Sequence, residues 1–195
     1  MIEYIKGTIT SFNPAAAVIE TRGGVAYRVN ISLATYSDLE GKSEALIYVH
    51  EHIREDAWTL YGFSTERERE LFRSLLGVSG VGAATAIIIL SSLQGDELAA
   101  VITAGDVKRL KSIKGIGSKT AERIIVDLRD KLKTDIATYT PVGNAPRSEA
   151  YDEALSALIM LGFERKATEK ALDAIFKADP QVKVEAAIKR ALSML

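Results

Sequence analysis

The 195-residue sequence contains no cysteine, which excludes disulfides, thiolate metal ligands and cysteine nucleophiles. It also lacks any run of about 18 apolar residues, so no transmembrane helix is predicted. The N-terminus has no basic-then-apolar stretch of the kind that directs secretion. We therefore expect a soluble, cytoplasmic protein without a membrane partner.

The chain also lacks an overall basic charge, since its formal net charge is −1. Nucleic-acid binders are usually basic, but the distribution of charge matters more than the total. Residues 108–133 hold nine Lys and Arg against three Asp and Glu, a local net charge of +6. Such a run is often only a solvated helix face, and its neighbours along the chain decide between the two interpretations.

Those neighbours include a Gly-apolar-Gly motif that occurs twice, 35 residues apart, at 80–82 and 115–117. Glycine allows positive φ and close approach of the backbone to a ligand. A helix that begins at such a turn offers unpaired N–H groups to a phosphate. Two ordinary helix-to-helix turns would give the same pattern. The predicted DNA contacts are Ser79, Gly80, Val81, Gly82, Gly115, Ile116, Gly117, Ser118, Lys119, Thr120 and Arg123.

The pattern along the chain predicts an α+β multidomain protein. Residues 1–63 contain about five short strand candidates separated by turn residues, which suits a small β-barrel such as the OB-fold. Residues 64–137 have helical periodicity and contain both glycine motifs, as a tandem helix-hairpin-helix domain would. Residues 138–148 combine proline and glycine without periodicity and are predicted to be a flexible linker. Residues 149–195 show three helical patterns, typical of a small docking domain.

Catalytic and metal-binding chemistry finds little support in the sequence. His50 and His52 share a strand face, but no third ligand is evident. The segment 115–120 lacks the glycine that a phosphate-binding loop requires before its lysine, so we predict no ATPase activity. No nucleophile is paired with a base. We expect no cofactor and no metal. Three alternatives remain: a generic helix-hairpin-helix protein that binds duplex DNA in repair, a repair nuclease or glycosylase, and a pure protein-interaction scaffold.

Two acidic residues, Glu55 and Asp56, lie between two strand candidates and are expected at a hairpin tip. Acidic residues at tips are usually solvated turn formers. If the tip faced DNA, however, the two carboxylates would repel phosphates and exclude continuous duplex from that spot.

The order of these segments, together with two local motifs, resembles the RuvA family, the junction-binding subunits of the bacterial branch-migration machine. The resemblance covers essentially the whole chain. It is most specific at Arg54-Glu55-Asp56-Ala57 followed by Leu60-Tyr61-Gly62-Phe63, and at Gly115-Ile116-Gly117-Ser118-Lys119-Thr120-Ala121-Glu122-Arg123.

This resemblance implies a non-catalytic homotetramer that holds a four-way Holliday junction open during recombination and repair. Glu55 and Asp56 match the family's acidic pin. The implied partners are a RuvB-type hexameric ATPase and a RuvC-type junction resolvase. The C-terminal domain is implied to bind the ATPase, and our candidate contacts are Leu158, Leu161, Phe163, Leu192 and Leu195.

The sequence departs from the family at both hairpins. Members often carry a proline and a lysine after the first Gly-Val-Gly, where this chain has Ala83 and Ala84. At the second hairpin Ser118 replaces one basic residue of a frequent pair, leaving Lys119. Since each neutralised phosphate adds about 0.9 to the salt slope, we expect weaker salt dependence than in a fully basic relative.

Overall fold

The computed structural model describes residues 1–139 and 149–195, with side chains described for residues 1–132 and 150–195. The chain divides into two compact units, Met1–Ile136 and Ala137–Leu195. The predicted fold class is confirmed: an OB-like barrel, a helix-hairpin-helix region and C-terminal helices.

The first unit begins with a closed barrel of five strands in the order β1-β2-β3-β5-β4. Neighbouring strands are antiparallel except for the parallel pair β3 and β5. Alternating side chains fill the interior, as the pleat of a strand requires; in β4, for example, Ile47 and Val49 are buried. The strands are β1 (Tyr4–Asn13), β2 (Ala16–Glu20), β3 (Ala26–Ile31), β4 (Glu44–Ile53) and β5 (Trp58–Phe63).

A short helix that the sequence did not predict, α1 (Leu33–Leu39), connects β3 to β4. It begins at Ser32, whose hydroxyl oxygen accepts a hydrogen bond from the backbone N–H of Thr35 over 3.0 Å. This cap satisfies one of the N–H groups that every helix start leaves unpaired.

Five helices follow the barrel, and the last of them ends three residues beyond Ile136, the end of the first unit. They are α2 (Glu66–Leu76), α3 (Ala83–Ser92), α4 (Gly95–Ala104), α5 (Val107–Lys111) and α6 (Ser118–Tyr139). Their apolar faces share one core, to which α6 contributes Ala121, Ile124, Ile125, Leu128 and Leu132. Helix α6 extends two residues into the segment predicted as a linker, and residues 140–148 of that segment lie outside the described residues.

Helix α2 has Thr65 as its N-cap residue and Glu68 three residues later, a pattern typical of a capping box. Only one of the two hydrogen bonds of that motif is formed. The Thr65 hydroxyl accepts a hydrogen bond from the Glu68 backbone N–H over 3.1 Å. The Glu68 carboxylate does not return the bond to Thr65. It accepts hydrogen bonds instead from the hydroxyl groups of Ser32 and Thr35, the latter over 2.8 Å. Burial at this position raises the pKa of Glu68.

Arg69, the next residue of α2, also ties the helices to the barrel. Its buried guanidinium donates to the backbone carbonyl of Glu3 over 2.9 Å and to the carboxylate of Glu66 over 3.0 Å. It also lies 5.4 Å from the ring centroid of Tyr48 in β4. The strand β4 and the helix α2 are therefore held together by charge as well as by apolar packing.

Aromatic rings complete the contact between the β4–β5 hairpin and α2. The Phe72 ring lies 5.3 Å from that of His50, 5.0 Å from that of Tyr61 and 5.0 Å from that of Phe63. These spacings are typical of favourable aromatic pairs. The hairpin that projects from the barrel is thus anchored on the first helix of the helical region.

The second unit contains the three predicted helices, α7 (Glu149–Met160), α8 (Arg165–Ala178) and α9 (Val184–Leu192). They share a small core that includes Leu155, Leu158 and Leu172. The Tyr151 hydroxyl donates a hydrogen bond to the Asp173 carboxylate over 2.6 Å and links α7 to α8.

No single helix within the described ranges combines the length and apolar character needed to cross a membrane. Taken together, α3 and α4 pass on length and composition, but they are bent by 98° at the break between them.

Candidate nucleic-acid interface

The two glycine motifs form turns of the same geometry, one between α2 and α3 and the other between α5 and α6. Gly80 has a φ of 90° and Gly115 a φ of 89°. The Val81 N–H donates to the Val78 carbonyl over 3.0 Å, and the Ile116 N–H donates to the Ile113 carbonyl over 3.1 Å. The repeat seen in the sequence is therefore a structural repeat of helix-hairpin-helix form.

The four glycines of these turns face open space. A Cβ built at Gly80, Gly82, Gly115 or Gly117 would meet no atom of the chain within 4 Å. Gly80 and Gly115 are needed for their positive φ. Gly82 has extended backbone, with φ −89° and ψ 171°, and packing places no demand for glycine on it. The space left at this surface is open to an external ligand.

Each turn is followed directly by the N-terminal end of a helix, α3 after the first turn and α6 after the second. Gly82 is the N-cap residue of α3 and makes no side-chain capping bond; Gly117 has the equivalent position before α6. The first N–H groups of each helix have no intrahelical acceptor, and the helix dipole adds positive potential there. Both ends can therefore receive an anionic oxygen.

The middle residues of the motifs, Val81 and Ile116, have a different part in the site. Each is 6% exposed, and each uses its backbone N–H inside the turn. Their buried side chains anchor the turns on the core beneath them. Val81 and Ile116 were among the predicted DNA contacts. In the structure they shape the loop, and their backbone N–H groups are already hydrogen-bonded within the turn.

The two hairpins differ in charge. At the three positions where the second hairpin has Lys114, Lys119 and Arg123, the first has Ser79, Ala84 and Ile88. All three cationic side chains are exposed. Lys114 is a candidate that the motif analysis did not single out, although aligning the two motifs with their 35-residue offset points to it.

One cation of the second hairpin reaches the first. The Arg123 guanidinium donates a hydrogen bond to the Ser79 hydroxyl oxygen over 3.4 Å. This contact brings a positive charge to a turn that has none of its own at the three equivalent positions.

Some cationic side chains of the basic segment 108–133 are already paired within the protein. Arg109 pairs with Glu97 over 2.7 Å, and Arg129 donates to the Thr103 backbone carbonyl over 3.1 Å. Between residues 1 and 132, no ion pair joins Lys114 or Lys119 to a carboxylate. The charge available for a ligand is therefore concentrated at the second turn.

Glu55 and Asp56 lie at the tip of the β4–β5 hairpin, where the sequence predicted them. The Arg54 N–H donates to the Ala57 carbonyl over 2.8 Å and closes the tip. Both carboxylates are exposed. The tip and the two glycine turns belong to the same compact unit.

The two histidines of β4 have packing partners. His50 packs against Phe72, and burial followed by the nearby charge of Arg73 lowers the pKa of its imidazole. His52 accepts a hydrogen bond at Nε2 from the Arg54 guanidinium over 2.8 Å. Across the described side chains, no group of three or more His, Asp or Glu residues is arranged to hold a metal ion.

Comparison with known proteins matches the chain in three parts. A model of the RuvA N-terminal domain matches residues 1–62, a model of the SAM-like helix-hairpin-helix tandem matches residues 72–130, and a model of the RuvA C-terminal domain matches residues 149–195. Among curated relatives, the Holliday junction branch migration complex subunit RuvA of Bacteroides fragilis is 50% identical over 202 residues. The subunits of the same name from Porphyromonas gingivalis and Christiangramia forsetii are 51% identical over 203 residues and 44% identical over 198. Each alignment covers 100% of both chains.

The chain belongs to the RuvA family. Its relatives are named as subunits of a branch migration complex.

The C-terminal unit requires one correction to the predicted partner contacts. Leu158 is 0% exposed and lies in the core of the three helices, so its side chain cannot reach a partner. Phe163 is half-buried against the same core. Leu161, Leu192 and Leu195 are exposed and stay candidates. Helical periodicity alone could not separate these residues, because core and contact leucines follow the same spacing.

Proposed function

We propose that this RuvA-family protein binds four-way Holliday junctions as a non-catalytic subunit of a branch migration complex. The observation that carries the proposal is the combination, in one compact unit, of two equivalent hairpin turns and an acidic hairpin tip. The names of its relatives support the same activity.

The hairpin turns supply the attraction for DNA. Each presents the N-terminal end of a helix beside glycines that leave open space, so a phosphate oxygen can approach the backbone closely. Lys114, Lys119 and Arg123 add positive charge at the second turn, and Arg123 extends it to the first. Phosphate contacts of this kind position a protein without reading bases, so we expect low sequence specificity.

The acidic tip favours four-way junctions over linear duplex. Glu55 and Asp56 are exposed at the end of a projecting hairpin, where a continuous duplex would bring phosphates towards two carboxylates. The repulsion disfavours linear duplex at this point and favours a place where strands diverge. Anchoring of the hairpin on α2 through Phe72 keeps the tip from moving aside.

The assembly that follows is a homotetramer around the centre of the junction, with four acidic tips near the crossover. A RuvB-type hexameric ATPase would move the arms, and the exposed residues Leu161, Leu192 and Leu195 of the C-terminal unit are its candidate contacts. A RuvC-type resolvase would act on the bound junction. Residues 1–63, 64–137 and 149–195 would serve as barrel, DNA-binding and motor-docking domains.

A gel-shift titration of the purified protein against a synthetic four-way junction and a linear duplex of equal length tests the proposal. With competitor DNA present, we expect strong preference for the junction and intact DNA at the end. Cleavage or base release without any partner would indicate a nuclease or glycosylase instead. Absence of DNA binding would favour a protein-interaction scaffold.

A further inference from the structure

The hairpin that carries the acidic tip has an exposed apolar pair directly beside it. Ile53 ends β4, Trp58 begins β5, and the two residues are paired across the ladder. They are 70% and 65% exposed, whereas Val49 and Leu60, on the same face but nearer the barrel, are buried. On β5 this face is therefore apolar from Leu60 out to the indole ring of Trp58, which ends in solvent. On β4 the carboxylate of Glu51, which accepts a hydrogen bond from the Ile2 N–H over 2.8 Å, separates Val49 from Ile53.

The opposite face of the same hairpin is polar and has partners of its own. His52 accepts a hydrogen bond from Arg54, and its ring lies 6.2 Å from that of Tyr61. Among the side chains that the structure describes, no aromatic ring packs on Trp58. Two adjacent exposed apolar side chains, Ile53 and Trp58, form a contiguous patch, and such patches mark candidate contact surfaces.

The neighbouring charges restrict which ligand that can be. Glu55 and Asp56 repel phosphates from this end of the hairpin, so the backbone of DNA is the wrong partner for Trp58. The faces of nucleobases are uncharged and stack on aromatic side chains. Inside a linear duplex those faces are covered by neighbouring base pairs, and only the two ends of the duplex leave one face uncovered. In an open four-way junction, the last base pair of each arm leaves one face uncovered at the centre.

We propose that Trp58, backed by Ile53, stacks on the terminal base pair of a junction arm at the crossover. The inference rests on the proposed function and adds a second source of junction preference to it. Repulsion by the acidic tip lowers the affinity for continuous duplex, while stacking on Trp58 raises the affinity for DNA with an uncovered base pair. Since every base has a stacking face, the contact is independent of sequence.

Trp58 is the one tryptophan of the chain, so its fluorescence reports on this position alone. Excitation at the red edge of the absorption band avoids the tyrosines. We expect the emission to be quenched when the four-way junction binds. A linear duplex of equal length with a hairpin loop closing each end, added at a concentration that saturates binding, should leave the emission nearly unchanged.

Substitution gives a second, independent readout. Trp58→Ala should lower junction affinity by about tenfold, while Trp58→Phe, which keeps an aromatic face, should retain most of it. Affinity for the linear duplex with closed ends should stay within about twofold in both variants. Val25→Ala removes another exposed apolar side chain of the barrel, in the β2–β3 turn, and serves as the control. Thermal unfolding checks that each variant is folded.

The failure of this inference is distinguishable from failure of the proposed function. If the wild type prefers junctions but Trp58 emission does not respond to them and Trp58→Ala binds normally, stacking is overturned and junction recognition stands. A blue shift on raising the protein concentration without DNA would place Trp58 against a second copy and also overturn it. Equal binding of junction and duplex by the wild type would overturn both.

Discussion

The guanidinium of Arg123, in the second hairpin, donates a 3.4 Å hydrogen bond to the hydroxyl of Ser79, in the first. The two residues are 44 positions apart in the sequence. Their hydrogen bond joins the two glycine turns that we propose to bind phosphate and that otherwise differ in charge. In that proposal, Arg123 supplies the positive charge that the first hairpin lacks, since Ala84 stands in place of a cation.

Arg123→Ala is expected to weaken binding to junction and duplex alike, because the charge it removes serves both turns. The slope of log affinity against log salt should become shallower by about 0.9 for each phosphate that is no longer neutralised. A gel-shift series at several salt concentrations measures both effects. Arg109→Ala is the matched control, since that guanidinium already pairs with Glu97. An equal weakening in the two variants would contradict a specific role for Arg123.

Ala84→Lys is expected to strengthen DNA binding at low salt. Ala84 is exposed in the first turn of α3, at the position that Lys119 occupies in α6. A lysine there can neutralise a further phosphate and should steepen the salt slope by about 0.9. Ala100→Lys places the same charge on an exposed position of α4 and controls for net charge. A slope that does not change in Ala84→Lys would show that the first hairpin does not face a phosphate.

Gly82→Ala is expected to impair DNA binding more than it impairs folding. The new methyl group meets nothing inside the chain and the backbone is extended, so the free energy of unfolding should change by less than about 1 kcal/mol. Gly80→Ala should cost about 1–2 kcal/mol, because its φ of 90° is unfavourable for alanine. Denaturant unfolding and gel shifts on the same samples separate the effects. Normal DNA binding by Gly82→Ala would mean that no ligand approaches this glycine.

Glu68→Gln is expected to change how stability depends on pH. Burial raises the folded-state pKa of Glu68 above its ordinary 4.5, so the folded protein binds this proton more tightly than the unfolded chain does. The ionised carboxylate therefore costs stability above the folded pKa, and the cost disappears as the pH falls through it. The wild type should gain stability relative to Glu68→Gln as the pH falls from about 7 to 4.5. Urea unfolding of both proteins across this range tests it; a constant difference would contradict it.

The general plan of the molecule could be predicted because each part has its own local pattern. Alternating strands, two glycine turns and three amphipathic helices identified the barrel, the hairpins and the C-terminal unit. Helix α1 was missed because its seven residues are too few for periodicity to be read, although Ser32 followed by Thr35 is consistent with a cap. Contacts between distant segments, such as Arg123 with Ser79 or Glu68 with Ser32, have no local signal in a single sequence.

The same limit applied to the candidate site. Glu55 and Asp56 could be placed at a tip because the flanking strands define the hairpin. The exposure of Ile53 and Trp58 could not be predicted, because alternation indicates which residues share a face but not where the barrel interior ends. Leu158 shows the converse case, in which a leucine proposed for a partner is required by the core.

The acidic tip offers the most direct test of the central claim, that junction preference comes from repulsion beside two phosphate-binding turns. The measurement is the ratio of junction to duplex affinity for the wild type and for the double variant Glu55→Gln with Asp56→Asn. Glu40→Gln with Glu44→Gln, which removes two exposed carboxylates elsewhere in the same unit, is the control for net charge. We predict that the tip variant binds duplex more tightly and that its ratio falls, while the control keeps the wild-type ratio. An unchanged ratio in the tip variant would contradict the account.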